Sequence, residues 1–243
     1  MISKGLLRLK NRLDYFLLDC EISDVLTMNK EKIAGEGNKI FLQVSANRHP
    51  LLNGRKNSAG SRTIVVNHLH KTILSAFIKD MYEEVIEYMT YLLKEAAING
   101  ADVDRLVGET RVTFEGNEIL MQKRREDIVQ LVVSQIVRSI DQKKEKLGVI
   151  QKTNKKLGLN ISAETLNKAM PYLQLRHILV HSDGKPEKNY QNIYQLDNKG
   201  KVDLTLEYIQ QAYQAVYDMA QEFDKAMMDR HYISKGEISS VNA

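Results

Sequence analysis

The chain has 243 residues, 43% hydrophobic and 27% charged, with three prolines, no tryptophan and a formal charge of +4; this supports a genuine core in one large domain, or in one with an insertion, and leans towards helix. The single cysteine, Cys20, excludes an intrachain disulfide. No stretch approaches the roughly 20 apolar residues that span a bilayer, and Lys4, Arg8, Lys10, Arg12 and Asp14 break any signal-like run, so a soluble cytoplasmic chain with no membrane partner is expected, basic enough to permit a nucleic-acid partner without demanding one.

Residues 5–28 carry Leu6, Leu9, Leu13, Phe16, Leu17 and Cys20 at helical spacing between basic residues, an amphipathic helix expected to pack on the body of the protein. Lys39 to Val44 alternates like a short strand. From Asn47 to Arg62 the Gly, Asn and Ser content predicts a long loop whose Arg48, Arg55, Lys56 and Arg62 are candidates to meet a phosphate backbone. Residues 64–98 predict the longest helix, about 50 Å, with Val66, Leu69, Ile73, Phe77, Met81, Val85, Tyr88 and Leu92 as its stripe. His68 and His70 precede the main stripe and face different ways.

Asn99 to Asp102 ends that helix, Arg111 to Phe114 alternates briefly, and Glu115-Gly116-Asn117 reads as a turn. A helix is expected over 119–147, a basic connection over 152–156, and a helix over 163–183 with Ser162 as N-cap, Pro171 inside and Gly184 and Pro186 as its stop. Residues 192–205 give a hairpin signal around Asp197-Asn198-Lys199-Gly200. A last amphipathic helix spans 204–230, and the polar tail from Lys235 is expected to fray. The sum predicts an all-α antiparallel helical bundle with small β-hairpin decorations. Residues 1–63 extend it, 64–231 form it, and 232–243 are a flexible tail.

The most informative stretch is Leu173 to Gly184. On a helix, Leu175, Ile178 and Leu179 make a core stripe. Leu173, Arg176, His177, Val180 and His181 share the opposite side at i, i+3, i+4, i+7 and i+8. Solvent would not need the Leu and Val, and a core would not hold the arginine and histidines unpaired. A covered face with polar groups inside is expected. Imidazole is the common general acid and base, and guanidinium stays charged and grips phosphate bidentately. Arginine and histidine together, with no pair of carboxylates, fit metal-independent chemistry on a phosphodiester, for which RNA supplies its own 2′-hydroxyl. A two-fold mate against Leu173 and Val180 would bring two such sets into one cleft. Three alternatives stand beside this: His177 and His181 as zinc ligands at i, i+4, Arg176 and the histidines as ties inside the bundle, and Ser182 with Asp183 as an activated nucleophile.

Arg176, four intervening residues and His181, with polar His177 after the arginine, resemble the signature of the HEPN superfamily, over roughly 119–231 and reaching back towards 64. The resemblance implies a metal-independent endoribonuclease leaving a 2′,3′-cyclic phosphate, without cofactor or metal, acting as a homodimer with a composite active site in toxin–antitoxin or anti-phage defence. It implies that Arg176 holds the scissile phosphate, His181 moves protons and His177 supports them. An antitoxin or regulatory protein is an implied partner, but Asp183 stands where one subgroup carries a modified tyrosine. Lys185, just past the motif, joins Arg48, Arg55 and Lys56 as a candidate RNA contact. A catalytically silent module of the same fold that binds RNA or protein is the alternative.

Overall fold

A hydroxyl opens each of the four long helices. Ser3 caps α1 (Lys4–Met28), Ser58 caps α4 (Ala59–Ile98), Ser162 caps α9 (Ala163–His181) and Thr205 caps α10 (Leu206–Asp229). Each accepts the N–H three residues on, at 3.0, 3.2, 3.0 and 3.1 Å respectively, and so satisfies one of the four orphan donors of a helix start. The computed structural model describes residues 1–35, 44–55, 58–108, 113–142, 148–188 and 191–239. The strand expected over 39–44 and the alternation over 111–114 lie largely outside them, as does Lys56.

Contacts between the long helices fix their directions. α1 runs against α4, since Arg8 and Arg12 meet Glu87 and Glu84 while Ser23 meets His70. It also runs against α10, because Ser3 meets Asp224 and Asp14 meets Tyr213. α9 runs against α10, with Ser162 at Glu222 and Tyr172 at Tyr208. Tyr88 on α4 reaches Ala220 and Asp224 on α10, and those two helices are parallel because both run against α1. The result is an all-α, four-helix up-and-down bundle with α1 and α9 at diagonal corners. Its centre is apolar: Leu6, Leu9 and Leu13 from α1, Phe77, Met81 and Met89 from α4, Leu173 and Leu175 from α9, and Val216 and Phe223 from α10 are buried.

Six shorter helices complete the ten found among the described residues: α2 (Lys30–Ala34), α3 (Pro50–Asn53), α5 (Val103–Val107), α6 (Gly116–Leu120), α7 (Arg125–Gln142) and α8 (Gly148–Leu157). α7 and α8 pack as a further layer on α4, burying Ile136, Ile140 and Ile150. Within the bundle, one buried polar cluster ties the chain's start to its last long helix. The Asp224 carboxylate accepts the Ser3 N–H at 2.9 Å, the Ser3 hydroxyl, and the Tyr88 hydroxyl at 3.1 Å. Burial pushes its carboxyl above the usual range, while those donors oppose the shift.

Several local expectations give way. The loop over 47–62 is broken by α3 and ends early, because α4 begins at Ala59 under the Ser58 cap. Arg62 is therefore a buried helix residue donating to the Gly35 carbonyl at 3.0 Å, and not a phosphate contact. α4 has 40 residues, about 60 Å. Tyr213 meets Asp14 and Ser23 meets His70, so the turns of α4 before His70 run past the start of α10. Leu69, expected in the stripe, is exposed, while Val66 one turn earlier is buried.

The turn at 115–117 opens α6, with the Glu118 carboxylate accepting the Glu115 N–H. The basic connection at 152–156 is part of α8, whose Lys156 ammonium donates to the Leu106 and Val107 carbonyls. The hairpin at 192–205 contracts to one antiparallel bridge, Leu196 with Val202, around a turn held by Asp197. The tail is not frayed through Ser239: β2 (Ile238–Ser239) pairs antiparallel with β1 (Ile2–Ser3). The residue-63 boundary falls inside α4, and α1 is one wall of the bundle core. No helix of the described residues is long and apolar enough to cross a membrane.

Candidate functional site

α9 holds its motif near a C-terminus built by glycine chemistry. Gly184, at φ 78°, sends its N–H back to the Ile178 carbonyl at 3.1 Å, and Ser182 bonds the same carbonyl at 3.0 Å. Only a residue tolerant of positive φ completes such a cap cheaply. Asp183 takes the left-handed conformation as well, at φ 49°. The Gly184 carbonyl accepts from Val202, which fastens the cap to the bridge that follows it.

The far face of α9 is not uniform. Its first half is covered, with Ala169, Met170 and Leu173 buried. Its last two turns are open, with His177, Val180 and His181 exposed. Leu173 therefore belongs to the chain's own core and is not left for a mate. The two imidazoles lie side by side, ring centroids 4.6 Å apart and tilted by 48°. Their i, i+4 spacing on a straight helix gives that proximity directly.

Arg176 sits at the edge of the same surface, half-buried. Its Nη2 donates to Glu83 Oε1 on α4 at 3.0 Å, and its guanidinium carbon lies 5.1 Å from the centre of the Tyr82 ring. The carboxylate and the ring fix the arginine's reach while leaving other guanidinium N–H groups for a ligand. Glu83 and Tyr82 were not among the residues the sequence singled out. They sit in an ordinary Tyr-Glu-Glu run of a long helix, and no spacing links them to a residue 93 positions on.

The structure places Lys185 four residues past His181, exposed and close to the motif. Arg48 and Arg55 are exposed but precede α4. Arg176 meets that helix at Glu83, about 36 Å along its axis from Ala59. No hydrogen bond or ion pair among the described residues joins Arg48 or Arg55 to the motif. Asp183 is engaged by the Lys201 ammonium, which holds its carboxyl below the usual range, and not by Ser182. Among the described residues, no three His, Cys, Asp or Glu side chains group closely enough to hold a metal ion. His70 is turned onto Ser23 of α1 at 2.9 Å. Cys20 is buried, and that burial pushes its thiol up to about 12, which makes it a core side chain and not a nucleophile.

Chemically, the open end of α9 offers a fixed cation beside two proton-exchanging rings on one surface. Compared with known protein families, curated proteins and solved structures, the chain has no match.

Proposed function

We propose that this protein is a metal-independent endoribonuclease. The observation that carries the reading is the open pair His177 and His181 beside the anchored guanidinium of Arg176 on the last turns of α9. In this scheme the RNA 2′-oxygen attacks the neighbouring phosphorus and the bond to the 5′-oxygen breaks, leaving a 2′,3′-cyclic phosphate. His181 takes the proton from the 2′-oxygen and returns one to the departing 5′-oxygen, with His177 supporting it. Arg176 binds the phosphate oxygens, whose charge grows in the transition state. Lys185 lies on the path of the strand. A second copy laid over the open turns, with Val180 as the apolar residue it covers, would pool two sets in one cleft. The HEPN resemblance favours a toxin–antitoxin or anti-phage role, with an antitoxin or regulatory protein as partner.

The test is cleavage of a single-stranded RNA in EDTA by the purified protein, with end-group analysis for the cyclic phosphate. Arg176→Ala and His181→Ala should each abolish it while circular dichroism is unchanged. Cleavage surviving in both variants would remove the assigned roles. One observation favours a second reading, a catalytically silent RNA- or protein-binding module: Arg176 is already engaged by Glu83. Growth arrest on induction, relieved by His181→Ala, decides for the enzyme; RNA bound and left intact decides for the module.

A further inference from the structure

The bundle uses one side of α1 and leaves the other apolar as well. Leu13 and Cys20 face the core, yet Tyr15, Leu18, Ile22 and Val25 on the opposite side are 71%, 49%, 52% and 56% exposed. Their spacing, three then four then three, is the a/d spacing of a helix seam. A helix apolar on two sides is ordinarily covered on both.

The charges on α1 say what covers it. Residues 4–13 hold Lys4, Arg8, Lys10 and Arg12 and no acid, and residues 14–28 hold Asp14, Asp19, Glu21 and Asp24 and no base. This order opposes the helix dipole, which favours acids at the start and bases at the end. The first turn has no acid and the last turn no base. The basic half has partners within the chain, chiefly the exposed pair Arg8 with Glu87, which contributes little, and the long contact at 3.7 Å between an exposed Arg12 and a mostly covered Glu84. Asp19 and Glu21 are exposed and make no ion pair among the described residues.

We propose that this face pairs with the same face of a second copy of the chain, antiparallel, about a two-fold axis passing between Tyr15 and Leu18. The antiparallel order sets each basic half against the other copy's acidic half; a parallel pair would set like against like. In this register Tyr15 packs on Leu18 of the other copy, Ile22 and Val25 lie over the side-chain stems of its Asn11 and Arg8, and Arg12 falls beside its Asp19. Asp14, which would approach Glu21 of the other copy, is turned onto Lys10 and Tyr213 of its own chain. The contact is self-complementary, as a two-fold contact must be. It sits at the corner diagonal to α9, so it leaves the motif open and does not depend on the nuclease reading.

The test is the mass in solution by sedimentation equilibrium. The wild-type chain should associate, and Leu18→Lys with Ile22→Lys, which sets like charge against Arg8 and Arg12 of the other copy, should lower its mass at least twofold while thermal melting and circular dichroism hold. Arg12→Glu should weaken association about tenfold, the size of two lost ion pairs, and adding Asp19→Arg should restore it. Val180→Glu, on the α9 face, should leave the α1 contact intact. A wild-type chain of single-chain mass, a mass indifferent to the Leu18 and Ile22 changes, or a charge swap that fails to restore association would overturn the proposal, whatever the outcome of the cleavage assay.

Discussion

Arg176 reaches across from α9 to Glu83 on α4, Nη2 to Oε1 at 3.0 Å, with its guanidinium over the Tyr82 ring. The pair is partly exposed, so it adds little to stability, under about 1 kcal/mol. Its consequence is competition: a phosphate that takes Arg176 must share the guanidinium with a carboxylate. Glu83→Gln keeps the hydrogen-bond acceptor and removes the charge. Single-stranded RNA should then bind about fivefold more tightly, an effect of about 1 kcal/mol, with the melting temperature almost unchanged. Fluorescence anisotropy and thermal melting check both. Weaker binding in the variant would mean that Glu83 serves RNA binding by aiming the arginine.

Gly5 sits in the first turn of α1 where it crosses Tyr91 of α4. A methyl group placed on it would lie 2.2 Å from Tyr91 Cε1, inside any real carbon–carbon contact. Gly5→Ala must therefore move the ring or part the helices, at a cost of about 1–3 kcal/mol. Urea unfolding measures the loss. Tyr91→Leu in the same chain should recover part of it, since a smaller side chain leaves the methyl room.

The apolar spacing alone gave α1, α4, α9 and α10 close to their ranges, because each buries one side at 3.6-residue periodicity, whereas the helix expected over 119–147 is broken at 121–124 between α6 and an α7 that starts at Arg125. Ser162 and Gly184 marked the ends of α9 because capping is local chemistry. The pairing of α8 with α5 was hidden, since Lys156 reads as solvated until the Leu106 and Val107 carbonyls stand beside it. So was Leu173, whose burial depends on what covers the first half of α9. Of the site, the residues on one helix were legible and the α4 half was not. His177 and His181 share a helix, and Glu83 reaches Arg176 only through the tertiary packing.

Asp224 shows how a buried charge is held. Its two oxygens meet the Ser3 N–H, the Ser3 hydroxyl and the Tyr88 hydroxyl in a water-poor interior. Asp224→Ala leaves those donors without the acceptor and opens a small cavity. The expected loss is about 2–5 kcal/mol by urea unfolding. Tyr88→Phe removes one donor and leaves the other two, so it should lose about 1 kcal/mol. Equal losses in the two variants would mean that the tyrosine carries the cluster.

His70 makes the folded chain sensitive to acid. The Ser23 hydroxyl lies 2.8 Å from the Cys20 carbonyl and shares a hydrogen bond with His70 Nδ1 at 2.9 Å. Nε2 faces Asp24 at 3.9 Å. Burial holds the His70 pKa below its ordinary 6.5, Asp24 opposes the shift, and Lys71 adds to it. The unfolded chain therefore takes up this proton at a higher pH than the folded one. The contribution of His70 to stability is present above about pH 6.5 and declines as the pH falls below it. His70→Gln keeps an amide that can hydrogen-bond Ser23 and cannot titrate. The stability gap between wild type and this variant, measured by urea unfolding in steps from about pH 7.5 to 5, should shrink as acid is added. A gap constant across that range would mean that the folded and unfolded chains protonate His70 alike, and that Asp24 fully offsets its burial.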